Sequence, residues 1–186
     1  DLLANAVVVD DMVSAIEECQ WVFGTSARSR TLPWPVQTPR ECAEFIVQKP
    51  NGEIAIVFGR ESMGLSNDEL AACHYHIHIP TESDFSSLNL GAAVQVIAYE
   101  LKMATLSVST CTDSEAVEDV ELANAKQMHG FYEHLHQVMV DVDFLFSKQP
   151  KLLMRRLQRL FNRSHLEVTE LNILRGLFSA MERKVK

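Results

Sequence analysis

Ile54-Ala55-Ile56-Val57-Phe58-Gly59-Arg60-Glu61-Ser62-Met63-Gly64-Leu65-Ser66-Asn67-Asp68-Glu69 passes from an unbroken apolar run, through a polar loop bracketed by glycines, to a helix start. An apolar run without polar alternation is what a strand covered on both faces requires, and such strands belong to parallel sheets. Ser66 with Glu69 three residues later is a capping box, in which side chains satisfy the backbone N–H groups at the start of a helix. The stretch therefore predicts strand, loop and helix in that order. The same grammar recurs on either side. Trp21-Val22-Phe23 runs into Gly24-Thr25-Ser26-Ala27-Arg28-Ser29-Arg30, Tyr75-His76-Ile77-His78-Ile79 runs into Pro80, and Val7-Val8-Val9 is a further strand candidate. Thr38-Pro39-Arg40-Glu41 supplies an N-cap, a Pro at the first helical position and a capping-box Glu. Ser86 or Ser87 is expected to open a long helix through about Met103, with Ala92, Ala93, Val96, Ile97 and Leu101 spaced for burial. Strand–helix alternation of this kind predicts an α/β fold with a mostly parallel sheet and helices on its faces.

Beyond about residue 106 the pattern changes. Residues 107–127 are rich in Ser, Thr, Asp and Glu and read as a linker, and 128–186 form a helical C-terminal extension of three amphipathic segments: Met128 to Phe146, Pro150 to Phe161, and His165 to about Lys184. The last carries the stripe Val168, Leu171, Leu174, Phe178 and Met181. The middle one carries Lys151, Arg155, Arg156, Arg159 and Arg163 at helical spacing, most of them on one broad face.

The net charge of −8 is unevenly distributed. Residues from Lys148 onward hold ten Lys/Arg and three Asp/Glu, those before it seven and twenty-two. Polyanion contact is thus expected to be local to the basic segment, since counterion release needs clustered cations; a solvated charged face is the alternative that charge alone leaves open. No apolar run approaches the roughly 18–20 residues of a membrane span, and the first residues lack the basic region of a signal peptide, so a cytoplasmic protein is expected. Cys19, Cys42, Cys73 and Cys111 show no CxxC or short zinc spacing, and no metal is expected. His74, His76 and His78 share a strand face, but no carboxylate is interleaved with them, and an exposed or helix-covered ladder is the expected use.

In a parallel α/β sheet ligands bind beyond the carboxyl ends of the strands. Three such ends here carry glycines, hydroxyls and amides: the segments from Gly24, from Gly59, and from Ile79 to Ser86-Ser87-Leu88-Asn89. Glycines let backbone amides approach a ligand, and the polar side chains supply directed bonds.

Two of these segments together resemble the SpoU branch of the SPOUT superfamily, a family of RNA ribose 2′-O-methyltransferases. Phe58-Gly59-Arg60-Glu61 with Gly64-Leu65 is similar to its second motif. Ile79-Pro80, then Ser87-Leu88-Asn89 and the Ala93 to Glu100 helix, is similar to its third. Gly24 to Arg30, Leu32-Pro33-Trp34-Pro35, Pro39-Arg40-Glu41 and Glu170-Leu171-Asn172-Ile173-Leu174-Arg175-Gly176 place the nearest resemblance among its bacterial tRNA (cytidine/uridine-2′-O-)-methyltransferases. The resemblance covers nearly the whole chain and implies a C-terminal trefoil knot in the sheet domain of residues 1–106, a homodimer and S-adenosylmethionine as cofactor. By motif it assigns the cofactor to Thr25, Ser26, Ala27, Gly59, Ile79, Ser86, Ser87 and Leu88, and site roles that order the pocket and substrate ribose to Glu61, Ser87 and Asn89. Arg28, Arg30, Arg155, Arg156 and Arg159 are the expected RNA contacts.

A ribose 2′-hydroxyl is a weak nucleophile, so methyl transfer needs in-line positioning and a group that takes or shares the proton. In the family an Arg in a first motif usually fills that role. This chain has no Gly before Gly24 and no Arg before Arg28, and the expectation is a chain starting inside the sheet, after a missing strand and helix. The implied substrate is tRNA, at the pyrimidine of position 32 in the anticodon loop; ribosomal RNA as target and a catalytically silent RNA-binding dimer are the alternatives. Glu61 paired with Arg60 or Arg28, Asn89 as a first-turn helix residue, and Trp34 packing a loop tip are the purely structural readings.

Overall fold

The computed structural model describes residues 4–27, 34–48, 52–82, 88–108, 121–145 and 150–185. Its elements are α1 (Met12–Ile16), β1 (Cys19–Thr25), β2 (Val36–Gln37), α2 (Pro39–Gln48), β3 (Glu53–Val57), α3 (Asn67–Ala71), β4 (Tyr75–Ile77), α4 (Leu90–Val108), α5 (Ala125–Asp141), α6 (Pro150–Ser164) and α7 (Val168–Val185). The four strands form one sheet in the order β2-β4-β1-β3, and every pairing is parallel. β4 and β1 are its inner strands, and β1 has the longer buried run. Trp21 and Phe23 point into a core shared with Cys42 and Ile97, against α2 and α4. Val22 points the other way, toward Ile16 and Cys73. Alternation along a doubly covered strand explains why Val22 and Phe23 are both 0% exposed.

Both predicted capping boxes form. The Thr38 N–H donates to Glu41 Oε2 at 2.7 Å, and the Ser66 N–H to Glu69 Oε2 at 2.6 Å. Helix α4 starts at Leu90 rather than at Ser86 or Ser87, because Asn89 is its cap: Asn89 Oδ1 accepts from the Ala92 N–H at 2.7 Å, filling an otherwise orphaned donor. Val7-Val8-Val9 is not a strand. Val7 and Val8 are 84% and 95% exposed, no described strand pairs with them, and β propensity without a partner ladder does not make a sheet. The two-residue β2 escaped sequence reading, being too short to show a period.

Helices α5–α7 carry their own core around Phe131, with Met128, Leu135, Val138, Leu171 and Phe178 buried and Leu153, Leu157, Phe161 and Leu174 packed against it. Each such side chain contributes about 1.5–3 kcal/mol when fully buried. Of the predicted α7 stripe, Leu171 and Phe178 are buried, whereas Met181, near the free end, is 41% exposed. Ala123 joins this core and its N–H donates to the Leu166 carbonyl, so the segment before α5 packs with the helices. Most of the predicted linker, residues 109–120, lies outside the described residues.

The helices are tied to the sheet layer at several points. Lys126 pairs with Glu17 at 3.0 Å, and Arg155 with Asp68 at 2.8 Å. His165, in the α6–α7 turn, stacks against His74 and Tyr75, lies tilted against Trp21, and receives or donates a hydrogen bond at the Tyr75 hydroxyl, 3.0 Å away.

Candidate functional site

At the carboxyl ends of β1, β3 and β4 lies a cavity of about 210 Å³. Thr25, Ser26 and Ala27 enter it from β1, the loop of residues 58–65 from β3, Ile77, Ile79 and Thr81 from β4, and Leu88, Leu90 and Ala93 from the start of α4. Since β4 and β3 flank β1 on opposite sides, the strand connections diverge here, and this is where open α/β sheets hold ligands. Seven of the sequence-nominated residues line it: Thr25, Ser26, Ala27, Gly59, Glu61, Ile79 and Leu88. Ser86 and Ser87 lie outside the described residues, as do Arg28 and Arg30. Asn89 caps α4 from beside the cavity without lining it. Sequence reading missed Met63, Thr81, Leu90 and Ala93 as walls; Thr81 sits one residue after Ile79-Pro80, where only its hydroxyl hinted at a role.

The loop of residues 59–65 keeps its shape through its own backbone. The Gly64 N–H donates to the Arg60 carbonyl at 2.7 Å, and Gly64 has φ 67°, the left-handed region where glycine is unstrained. Arg60 does not pair with Glu61. Its guanidinium grips both carboxylate oxygens of Glu69, at 3.2 and 3.1 Å. That bond, together with the Ser66 N–H, holds the Glu69 carboxyl down to about 2. Glu61 is exposed, lines the cavity and has no ion-pair partner among the described residues. Apolar walls from Ile77, Ile79, Leu65, Leu88 and Leu90, with Thr25, Ser26, Thr81 and Glu61 interspersed, suit a ligand with a flat hydrophobic part and a cationic or hydroxylated part.

The strand histidines serve the fold. His74 Nδ1 accepts the Val22 N–H at 3.1 Å, and burial, with nearby His165, pushes its pKa down to about 3. His76 Nε2 meets the Leu70 carbonyl at 3.2 Å while its ring stacks on Trp34, and His78 Nδ1 meets the Ser26 carbonyl at 3.2 Å. A ring nitrogen on a backbone carbonyl carries the proton and is not a metal ligand there. Trp34 packs inward, its Nε1–H donating to the Cys73 carbonyl at 3.0 Å. Burial pushes the Cys42 and Cys73 thiols up to about 12, so both are inert.

On α6, Lys151, Arg156 and Arg163 are exposed. Arg155, nominated as an RNA contact, pairs with Asp68 at 2.8 Å. Arg159 is half-buried, with its Nε enclosed and without a hydrogen-bond partner.

A parallel sheet in which the ends of β1, β3 and β4 close a pocket walled in part by Gly59 and Gly64 is the architecture of the SpoU methylases. The SpoU rRNA Methylase family model matches residues 1–99, and the model for the tRNA methyltransferase TrmJ, C-terminal domain, matches residues 126–186. The chain belongs to the SpoU methylase family and, within it, to the TrmJ group. It is 46% identical to the tRNA (cytidine/uridine-2′-O-)-methyltransferase TrmJ of Photorhabdus laumondii, over 100% of this chain and 77% of that protein. It is 43% identical to the tRNA (cytidine/uridine/adenosine-2′-O-)-methyltransferase TrmJ of Pseudomonas aeruginosa, over 98% and 74%. The crystal structure of TrmJ from Z. mobilis ZM4 superimposes with a TM-score of 0.83 at 27% identity, covering 97% of this chain and 75% of that one.

Proposed function

We propose that the protein methylates ribose 2′-hydroxyls in tRNA using S-adenosylmethionine, and that its target is the pyrimidine at position 32 of the anticodon loop. The observation that carries this reading is the convergence of Thr25, Ser26, Ala27, Gly59, Glu61, Ile79 and Leu88, from four separate segments, on one cavity. Bound there, S-adenosylmethionine supplies a sulfonium methyl group. The residues present fit it: the walls are apolar, Gly59 keeps the loop backbone at the cavity edge, and Glu61 offers an exposed carboxylate to a cation. We assign Thr25 and Ser26 to the polar contacts of the cofactor, with Ser86 and Ser87 completing the pocket. Glu61, Ser87 and Asn89 order the pocket and the ribose; none of them is the proton acceptor. The family's trefoil knot is assigned to the segment after β4, whose Thr81, Leu88 and Leu90 fold back onto the cavity.

Arg28 and Arg30 follow Ala27 at the cavity wall and are proposed to hold the phosphates flanking the target ribose. The exposed Arg156, with Lys151 and Arg163, would add nonspecific phosphate contacts, consistent with the acidic charge elsewhere. A homodimer is supported by Tyr99, Met103 and Leu106, exposed at 56%, 42% and 50% on the side of α4 away from buried Ile97. Among the described residues no helix is long and apolar enough to cross a membrane; a tRNA substrate would place the protein in the cytoplasm. The test is transfer of labelled methyl from S-adenosylmethionine to unmodified tRNA by the full-length protein, with the methylated nucleotide mapped. A 2′-O-methyl pyrimidine at position 32 is expected. Label in ribosomal RNA alone would overturn the substrate, and no label in any RNA would leave an RNA-binding dimer.

A further inference from the structure

The two ends of the short helix α3 are held by different parts of the molecule. At its start, Glu69 closes the capping box with Ser66 and takes the Arg60 guanidinium at two points, which fixes the loop forming one wall of the cavity. At its other end, the carbonyls of Ala71, its last residue, and of Cys73 accept from Nδ2 of Asn162, in α6, at 3.0 and 3.3 Å. Asn162 is 3% exposed, and its Oδ1 accepts from the Tyr132 hydroxyl of α5. A third tie joins Asp68, the neighbour of Glu69, to Arg155 at 2.8 Å. Asn162, Arg155, Asp68 and Tyr132 are all absent from the cavity walls. A helix of five residues has no stability of its own, so its position is set by what grips its ends.

We propose that α5–α7 position the cofactor loop through α3: Asn162 and Arg155 hold the helix, Glu69 transmits that hold to Arg60, and Arg60 keeps the Gly59–Leu65 wall in its binding shape. This rests on the reading of the cavity as the S-adenosylmethionine site. Asn162 is the stronger tie, because losing its amide strands the enclosed Ala71 carbonyl and leaves that of Cys73 with the Trp34 indole N–H, whereas Asp68 is 84% exposed and its ion pair is screened.

The experiment is calorimetric titration of full-length protein with S-adenosylhomocysteine in the absence of RNA, beside thermal unfolding. Arg155→Asp and Asp68→Arg are each expected to weaken binding about threefold, and the double swap to restore most of it, as an exposed ion pair predicts. Asn162→Asp, which turns an enclosed donor into a carboxylate facing two carbonyls, should weaken it about tenfold or more. Unchanged affinity in both single charge variants would overturn the proposal even if Asn162→Asp fails to fold. So would an Arg155→Asp protein that loses tRNA affinity alone, which would make Arg155 an RNA contact. Wild-type protein that does not bind S-adenosylhomocysteine would overturn the cofactor reading itself.

Discussion

Gly59 and Gly64 approach so closely that a Cβ on Gly59 would stand 2.2 Å from the Gly64 carbonyl carbon, and equally close to the Leu65 nitrogen. No side-chain rotation relieves a clash with backbone. Gly59→Ala is therefore expected to open the loop of residues 59–65, lowering cofactor affinity at least tenfold and stability by about 1–3 kcal/mol, the usual cost of overpacking. Gly64→Ala meets nothing within 4 Å but must hold φ 67°, so it should cost only about 1 kcal/mol. Calorimetry and urea unfolding on both variants check this; a Gly59→Ala protein that binds S-adenosylhomocysteine like wild type would remove the loop from the cofactor site.

The strand-end loops were legible from sequence because they combine two signals that rarely coincide by chance: an apolar run for a doubly covered strand and glycines at its carboxyl end. Ile54 to Gly64 shows both, and the cavity lies there. Capping boxes were legible for a similar reason, since Ser66 and Glu69 satisfy each other within one turn. Non-local ties were not. Nothing in the spacing of Asn162, or of Asp68 and Arg155 eighty-seven positions apart, announces that α6 holds α3. The same blindness hid the Asp68 carboxylate that Arg155 meets and turned Val7-Val8-Val9 into a strand: charge and β propensity are intrinsic properties, and neither names the partner that decides its use.

His74 makes stability depend on pH. Its folded pKa of about 3 lies below the ordinary histidine value, so between about 6.5 and 3 the unfolded chain binds a proton that the folded protein refuses. Stability should fall as pH falls through that window, with a slope approaching one proton. His74→Asn keeps an acceptor within reach of the Val22 N–H but cannot titrate, and is expected to flatten the slope by up to that one proton. Urea midpoints from pH 7 to pH 4 measure it; parallel curves for wild type and variant would mean that another group controls acid lability.

Tyr99, Met103 and Leu106 recur at i, i+4 and i+7 on α4, exposed on the face that Ile97 does not use. If this stripe is the seam between two copies, Met103→Glu should shift sedimentation from dimer to monomer while leaving the circular dichroism spectrum unchanged. A charge placed in an apolar seam costs several kcal/mol when unpaired, enough to dissociate a micromolar dimer. A Met103→Glu protein that still sediments as a dimer would place the seam elsewhere.

Two sets of cations are expected to act on RNA in separable ways. Arg156, Lys151 and Arg163 are exposed on α6, and phosphate contacts of this kind release counterions. Replacing all three by Ala should weaken tRNA binding and reduce the slope of log affinity against log salt by up to about 0.9 for each phosphate these side chains neutralise, without changing single-turnover methylation at saturating tRNA. Arg28 and Arg30 follow the cavity residues Thr25, Ser26 and Ala27 within a few positions, so their work would be orientation of the ribose. A guanidinium can hold a phosphate at two points and keep the 2′-hydroxyl in line with the methyl group. Arg28→Ala and Arg30→Ala should each lower the single-turnover rate about tenfold or more, equivalent to roughly 1.4 kcal/mol of transition-state stabilisation, with cofactor affinity and melting temperature near wild type. Lys at either position should rescue only in part, since it keeps the charge and gives up the two-point geometry. If Arg28→Ala instead abolishes cofactor binding, that residue builds the pocket. If the α6 variants slow the chemical step at saturating tRNA, the helix orients the substrate and does more than attract it.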